Sequence, residues 1–198
     1  KMIIIGAGNL GKHVIDQLEQ DDYQRELIFF DENFSKKTIY NKYQVISKWE
    51  ELFKYLREID KEYFIAIGNP RIRKKIHLKI SEGKYTSILS KHVGIISKYS
   101  TIGEGTLIQP ACCISHNVTI GISSLIHAST LIGHNVNISN YVTIGSNVNI
   151  LKNVKIGEFT TISPNTLIYP DVKIGNNVYI GPGVIVKNDI RDYETIIR

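Results

Sequence analysis

Isoleucine recurs at every sixth residue through the C-terminal half of this chain. The series begins at Ile96, runs without a break to Ile180 and continues at Val186. Two residues before nearly all of these positions lies a small or β-branched side chain, such as Cys112 or Val118. A strand alternates every two residues and a helix repeats about every 3.6, so neither produces this spacing. A period of six instead predicts a coil of short strands in which both positions point inward.

A longer period, of three hexapeptides, lies within this series. Glycine follows the isoleucine at four positions of the longer period, and serine completes it: Gly103, Gly121, Ser139, Gly157 and Gly175. Three hexapeptides therefore form one turn of a triangular prism, whose parallel strands stack about 4.8 Å apart. Because glycine tolerates positive φ, these corner residues are expected in left-handed backbone. The pattern fails before Gly94 and at Asp192, which predicts about five coils.

Residues 1–90 follow a different pattern, in which apolar strands alternate with amphipathic helices. The segments MIIIGAG, ELIFFDE and YFIAIG are predicted strands, and GKHVIDQLEQ, KWEELFKYLREI and RIRKKIHLKI are predicted helices. Asn69 is expected to cap the third helix, with Pro70 at its first position. This alternation predicts a parallel sheet. We therefore expect an α/β domain over 1–90 and a β-helix over 91–198.

The motif GAGNLG, residues 6–11, lies where the first predicted strand passes into a helix. Backbone N–H groups and the positive end of the helix suit a phosphate at such a turn. Asp31 follows the second strand, roughly 20 residues on, and is placed to accept a hydrogen bond from a ribose hydroxyl. A dinucleotide domain needs two such halves and only one fits here, so we predict a half-Rossmann domain for one nucleotide. Glycines that serve only helix–strand packing are the alternative.

Composition narrows the choice of function. The net charge is +5, but the lysines are scattered, so small anionic ligands are expected rather than nucleic acid. No apolar run approaches the roughly 20 residues that cross a bilayer, and a cytoplasmic protein without a membrane span is expected. Cys112 and Cys113 are adjacent, which disfavours a disulfide between them and offers no ligand spacing for zinc.

Four segments together resemble a known family: GAGNLG, FFDEN, YFIAIGNPRIRKKI and the hexapeptide array with its interior HN. They are similar to the sugar acetyltransferases of the sialic acid O-acetyltransferase family, and most of all to UDP-4-amino-sugar N-acetyltransferases of the bacillosamine type. The resemblance covers almost the whole chain. It implies a left-handed parallel β-helix, a homotrimer, and acetyl-CoA bound as co-substrate between neighbouring helices, without a tightly bound cofactor or metal. It also implies that a nucleotide-linked amino sugar contacts Gly8, Asn9, Leu10, Asp31, Glu32 and Gly68.

Two histidines compete for the role of general base that the resemblance implies. His116 and His134 lie three hexapeptides apart and so share a corner on successive coils. Gly157 and Gly175 follow His134 at the family's spacing for the later glycine corners, whereas the first of these counts from His116 reaches a serine. We therefore assign His134 as the base. A neutral imidazole in this role accepts the proton of the attacking amine or hydroxyl.

The resemblance also assigns supporting residues, several of which depart from the family's pattern. Asn135 stands where relatives carry the acidic residue that orients the base, and His127 is expected to contact the acceptor or the base. On the acetyl-CoA side, Thr143 replaces a second histidine and Lys152 replaces a glycine whose N–H meets the thioester oxygen. Pro164 and Pro182 are expected to line the pantetheine path.

These observations predict an acetyl-CoA-dependent N-acetyltransferase that acts on a UDP-linked 4-amino-4,6-dideoxy sugar by direct attack. O-acetylation of sialic acid or a related sugar is the nearest alternative, and a non-catalytic trimeric binding protein is another. A zinc hydratase on the same β-helix needs three histidines that include a His-x4-His pair, which this chain lacks. A nicotinamide-dependent oxidoreductase lacks its second nucleotide half.

Overall fold

The computed structural model describes residues 1–59, 61–80 and 82–197. The chain forms two compact units, with the boundary between Ser87 and Ile88. None of the helices in these described ranges is long and apolar enough to cross a membrane.

The N-terminal unit is an α/β domain built around one sheet. Its elements are β1 Met2–Ile5, α1 Asn9–Gln20, β2 Leu27–Phe30, β3 Thr38–Ile39, β4 Tyr43–Ile46, α2 Trp49–Glu58, β5 Glu62–Ile65, α3 Pro70–Lys79 and β6 Lys84–Tyr85. The strand order is β3-β4-β2-β1-β5-β6, and every pair is parallel except β3 with β4. The predicted parallel sheet is therefore confirmed, with an antiparallel edge hairpin and the short strand β6 added to it.

Burial and capping explain why these segments adopt their predicted states. Ile4 of β1, Phe29 of β2 and Phe64 of β5 are fully buried, as expected for central parallel strands covered on both faces. The side chain of Asn69 accepts hydrogen bonds from the N–H groups of Arg71 at 3.0 Å and Ile72 at 3.2 Å, so it caps α3 as predicted.

The C-terminal unit is a left-handed parallel β-helix, the predicted fold. Its strands are β7 Ile88–Leu89, β8 Ile95–Ile96, β9 Thr101–Ile102, β10 Leu107–Ile108, β11 Cys113–Ile114, β12 Thr119–Ile120, β13 Leu125–Ile126, β14 Leu131–Ile132, β15 Asn137–Ile138, β16 Thr143–Ile144, β17 Asn149–Ile150, β18 Lys155–Ile156, β19 Thr161–Ile162, β20 Leu167–Ile168, β21 Lys173–Ile174, β22 Tyr179–Ile180, β23 Ile185–Val186 and β24 Thr195–Ile196. Over the described residues they form three parallel sheets, ordered β24-β22-β19-β16-β13-β10-β7, β23-β20-β17-β14-β11-β8 and β21-β18-β15-β12-β9.

The register confirms that three hexapeptides make one turn. Ile108 pairs with Ile126 and Ile126 pairs with Ile144, so each strand meets the strand three hexapeptides further along the chain. The repeating isoleucines and the residues two positions earlier, such as Val142, fill one continuous core. Each buried isoleucine contributes on the order of 2 kcal/mol, so stacked coils stabilise one another along the whole column.

The expected place of positive φ was wrong. The corner glycines, such as Gly121 and Gly157, do not have positive φ; left-handed backbone occurs two residues later in each turn, on asparagine, serine, alanine and even Phe159. The glycines are needed for a different reason: a Cβ at Gly157 would lie 2.5 Å from the carbonyl carbon of Gly175 in the next coil. Close approach between coils, rather than backbone conformation, excludes a side chain here.

Both ends of the column depart from the regular spacing of 18 between paired positions. The first coil begins at β7, ahead of the expected start, where Leu89 pairs with Ile108 at a spacing of 19. The last coil is two residues shorter than the regular coils, since Ile180 pairs with Ile196 at a spacing of 16. The pattern fails in sequence at Asp192 because of this shortened coil, yet its strand still adds to the sheet.

Candidate functional site

An apolar groove runs along one sheet of the β-helix, hereafter the groove sheet (β8, β11, β14, β17, β20 and β23). The groove encloses about 340 Å³ and is lined by Ile95 and by residues 113–115, 131–133 and 149–151. The groove therefore spans successive coils and ends at the turns that follow the strands, residues 115–118, 133–136 and 151–154. We call these turns the histidine corner.

The histidine corner holds three nitrogen-bearing side chains at the same position of successive coils: His116, His134 and Lys152. The rings of His116 and His134 are stacked with parallel planes, and their centroids are 5.2 Å apart. His134 directly follows Gly133, which lines the groove, and its side chain is half-buried. Within the described part of the chain, the His134 ring makes no hydrogen bond.

Asn135 belongs to a ladder of side-chain amides along this corner. Its Nδ2 donates to Asn153 Oδ1 at 3.0 Å, while its Oδ1 accepts from Asn117 Nδ2 at 3.3 Å. The ladder continues from Asn153 Nδ2 to Asp171 Oδ1 at 2.8 Å. The structure thus places the Asn135 amide among its neighbours in the ladder, and none of its hydrogen bonds reaches the ring of His134.

The turns at the other end of the groove sheet carry His127. They include residues 109–112, 127–130, 145–148, 163–166 and 181–184, and we call them the proline corner. Nδ1 of His127 donates to Gln109 Oε1 at 2.9 Å, and the same oxygen accepts from the Ala128 N–H at 3.2 Å. With Nδ1 donating, Nε2 of the neutral ring remains an acceptor. His127 and His134 therefore lie at opposite ends of β14.

The remaining residues that were assigned to acetyl-CoA lie at or near these two corners. Lys152 is exposed at the histidine corner, while Pro164 and Pro182 are exposed on successive coils of the proline corner. Thr143 is half-buried at the start of β16, on the sheet that leads into the proline corner. The structure thus places these residues around the groove sheet without bringing all of them to one point.

A second cavity, of about 510 Å³, lies in the N-terminal unit at the carboxyl ends of β1, β2 and β5. Gly6, Asp31 and Glu32 line it, as expected for a ligand site in an open parallel sheet. The Asp31 carboxylate already accepts from the Ala7 N–H at 2.9 Å and the Asn33 N–H at 3.0 Å. Asp31 therefore holds the glycine loop against the strand end, and it also lines the cavity.

The glycines of this unit separate into two groups. Gly6 has φ of +107°, and a Cβ there would lie 2.6 Å from the Ala66 carbonyl oxygen. A Cβ added at Gly8 or Gly68 would meet no neighbouring atom within 4 Å, so packing does not explain these two glycines. Gly8, Asn9 and Gly68 are exposed and Leu10 is half-buried. Open space beside Gly8 and Gly68 leaves room for a ligand to approach the backbone.

Sequence analysis missed the far side of this cavity. Trp49, Lys75 and Lys79 line it, and the Lys79 ammonium lies 3.4 Å from the centre of the Trp49 ring. The two lysines are one helical turn apart on α3, and this spacing could have identified them as an anion-binding pair. Arg73 of the same helix is fully buried and donates to the carbonyl oxygens of Ile67 at 3.0 Å and Gly68 at 2.7 Å, which shapes the loop after β5.

We also searched the described ranges for a metal site. There, no group of three or more histidine, cysteine, aspartate or glutamate side chains is arranged to hold a metal ion.

Two family models match the chain. Residues 1–80 match the PglD N-terminal domain, and residues 153–188 match the bacterial transferase hexapeptide, which covers six repeats. No curated protein sequence matches significantly.

Solved structures share the fold over the full chain. A mutant of perosamine N-acetyltransferase from Caulobacter crescentus, in complex with CoA and GDP-perosamine, is 20% identical with a TM-score of 0.90, covering 100% of this chain and 93% of that one. The acetyltransferase domain of PglB from Neisseria gonorrhoeae in complex with acetyl coenzyme A is 21% identical with a TM-score of 0.83, covering 98% and 94%. WeeI from Acinetobacter baumannii is 22% identical with a TM-score of 0.72, covering 100% and 96%.

The chain thus joins an N-terminal domain that matches the PglD model to a β-helix whose coils match the bacterial transferase hexapeptide, and these acetyltransferase structures share its fold. Its N-terminal domain is of the PglD type, which confirms the predicted resemblance to the hexapeptide sugar acetyltransferases.

Proposed function

We propose that this protein is an acetyl-CoA-dependent N-acetyltransferase that acts on the amino group of a nucleotide-linked 4-amino-4,6-dideoxy sugar. The observation that carries the proposal is the position of His134. This histidine directly follows Gly133, which lines the apolar groove, it is half-buried, and its ring nitrogens accept or donate no hydrogen bond within the described chain. Such a ring is available to a substrate at both nitrogens.

The reaction is a direct transfer. The lone pair of the sugar amine attacks the thioester carbonyl carbon, a C–N bond forms, and the C–S bond breaks to release CoA. The His134 imidazole accepts the proton that the amine nitrogen loses, a contribution typically worth about 10²–10⁴-fold. The proton then passes to the departing thiolate, so the histidine returns to its neutral form. Asn135 supports this corner through its ladder, and His127 is proposed to contact the acceptor.

Acetyl-CoA is proposed to occupy the groove. The apolar lining suits the pantetheine arm, and Lys152, one coil beyond His134 at the histidine corner, is proposed to present its backbone N–H to the thioester oxygen. Thr143, Pro164 and Pro182 are proposed to line the rest of the acetyl-CoA path.

The nucleotide sugar is proposed to bind in the cavity of the N-terminal unit. Lys75 and Lys79 supply positive charge for a diphosphate, while Gly8 and Gly68 leave their backbone open to the ligand. Asn9, Leu10 and Glu32 complete the proposed contacts. The resemblance favours UDP, although the perosamine N-acetyltransferase structure contains a GDP-sugar. O-acetylation of a sugar hydroxyl remains the alternative reaction, and the cytoplasm is the proposed location.

A homotrimer is proposed as the working assembly. Ile95, Leu131 and Ile185 point outward in one row of the groove sheet and are 65%, 46% and 55% exposed. A row of this kind is a typical contact surface between protein subunits. A trimer of the kind that the resemblance implies would cover this row and close the groove between neighbours.

His134→Ala tests the proposed base. The wild-type protein is incubated with acetyl-CoA and UDP-, dTDP- or GDP-linked amino sugars, and release of CoA is measured by chromatography. We expect turnover with a UDP-amino sugar and a loss of at least about 10²-fold in kcat for His134→Ala, because the amine proton has no acceptor.

His92→Ala is the matched control, since His92 is an exposed histidine in the first coil. Its kcat should stay at the wild-type value. Full turnover in His134→Ala would reject the assignment of the base, and no turnover by wild type with any of these sugars would reject the proposed reaction.

A further inference from the structure

His116 stacks on His134, yet the transfer reaction described above gives it no role. The two rings come from equivalent positions of successive coils, three hexapeptides apart. The angle between their planes is 0°, and their centroids are 5.2 Å apart. This distance is close to the about 4.8 Å that separates neighbouring strands, so the rings follow the stacking of the coils.

Nothing else in the described chain orients the His134 ring by hydrogen bonding. A catalytic histidine is usually held by a hydrogen bond from one ring nitrogen to a carboxylate or a carbonyl oxygen. The adjacent side chain, Asn135, uses its amide to bond Asn117 and Asn153. The face of His116 is therefore an aromatic contact that can fix the plane of the His134 ring.

His116 has an anchor of its own. Its Nδ1 lies 3.4 Å from Ser115 Oγ, and Ser115 lines the same groove. The exposed ring of His116 is thus tied to the coil that precedes His134. A parallel stack uses the faces of the two rings and leaves their nitrogen-bearing edges open.

We propose, on the basis of the proposed function, that His116 is a positioning residue for the catalytic base. Stacking on His116 holds the His134 ring in one plane while both of its nitrogens stay available to substrates. A hydrogen bond to a carboxylate would orient the ring as well, but it would occupy one nitrogen. The stack in this chain therefore takes the place of the missing acidic partner.

The test compares His116→Ala with His116→Phe. Phenylalanine keeps a flat ring for stacking and lacks nitrogens, so it separates the stack from any proton transfer by His116. We expect His116→Ala to lower kcat about tenfold with little change in the KM for acetyl-CoA, because the base is misplaced and the groove is not. His116→Phe should recover most of the lost kcat.

Phe159→Ala is the matched control. The third corner of the prism is formed by turns such as residues 139–142 and 157–160. There, Tyr141 and Phe159 also stack, with ring centroids 5.5 Å apart and planes inclined by 7°. Loss of that stack should lower Tm and leave kcat within about twofold, since its corner lies outside the groove sheet. A drop in kcat as large as that of His116→Ala would mean that loosening any coil reduces activity, and it would overturn the proposal.

A second readout does not depend on turnover. In ¹H–¹³C spectra of the histidine side chains, His116→Ala should remove the ring-current shift of the His134 signals, and His116→Phe should preserve one. Unchanged His134 signals in His116→Ala would overturn the proposal even if no sugar substrate were found. Equal kcat in wild type and His116→Ala, alongside an inactive His134→Ala, would overturn it while leaving the proposed function intact.

Discussion

At the scale of single residues, the β-helix depends on left-handed turn positions that are seldom glycine. Asn117, Asn135 and Asn153 occupy three of them, with φ between 56° and 61°. Asparagine accepts this conformation more readily than most residues because its side chain can form local hydrogen bonds. Here the amides serve a second purpose, since each also bonds to its counterpart in the neighbouring coil. One residue type therefore satisfies both the turn and the contact between coils.

Substitutions at Asn153 separate these two contributions. Asn153→Gly removes the amide bonds to Asn135 and Asp171 but accepts positive φ, whereas Asn153→Ala removes the bonds and must adopt φ near 61° with a Cβ. We expect both variants to be less stable than wild type, and the alanine variant to be the less stable of the two by about 1 kcal/mol. Urea denaturation measures the difference. An alanine variant at least as stable as the glycine variant would refute this account of the turn.

At the scale of the elements, the spacing between coils decides which positions accept a side chain. Gly157 faces the backbone of Gly175 and Asn176, and backbone in a stacked sheet has little room to move. A Cβ at Gly181 would lie 3.2 Å from the Cγ2 methyl of Ile197 and 3.3 Å from the Ile196 carbonyl oxygen, which are looser contacts than the 2.5 Å at Gly157. The same substitution should therefore have different effects at two corners of one column.

Gly157→Ala is expected to destabilise the protein by about 2 kcal/mol, as overpacking of a rigid contact does. Gly181→Ala is the matched control, and it should lower the free energy of unfolding by less than half as much. Thermal unfolding followed by circular dichroism gives the two shifts in Tm. Equal shifts at both positions would show that contact with the next coil is not what excludes a side chain from Gly157.

The elements also show why much of this fold could be predicted and some of it could not. A period of six is present in the local sequence, so the strands, the inward positions and the shared corner of His116 and His134 follow from counting. The positions of positive φ do not, because Ala111, Tyr141 and Phe159 occupy them as well as asparagine. Stacked rings and amide ladders arise only when coils pack, so spacing alone did not assign Asn135 to the ladder.

In the α/β unit, the strand-end cavity follows from topology, since ligands in open parallel sheets bind where neighbouring strands end. Its wall of Trp49 and Lys79 did not follow from the sequence. These two residues come together only through packing of α2 beside α3, and no local pattern encodes that contact. The role of Asp31 in holding the Ala7 N–H depended on side-chain geometry in the same way.

At the scale of the whole molecule, the outward apolar row of the groove sheet offers a test of assembly. Cys113 lies in this row between Ile95 and Leu131, whereas Cys112 points into the core and is fully buried. Burial raises the pKa of the Cys112 thiol, so less of the reactive thiolate is present at a given pH. The two adjacent thiols therefore report separately on the surface and on the core.

Leu131→Glu is expected to dissociate the proposed trimer, because three carboxylates would be buried against apolar side chains. Light scattering should show a trimer for wild type and a monomer for the variant. Cys113 should react quickly with a thiol reagent only in the monomeric variant. Cys112 should not react in either the trimer or the monomer until denaturant is added. Lys173→Glu is the control and should stay trimeric, because Lys173 is exposed on a different sheet, the one that runs from β9 to β21. A monomeric wild type with a freely reactive Cys113 would contradict the assembly.

The shortened last coil also affects whether further strands can add to the column. Repeated parallel strands of equal length form a template on which further strands can add without limit, as in fibrils. The spacing of 16 between Ile180 and Ile196 breaks that match at one end, because an incoming coil of regular length no longer meets its partners in register. A regular coil placed on the strand that contains Ile196 would therefore leave some backbone N–H and C=O groups without partners in register.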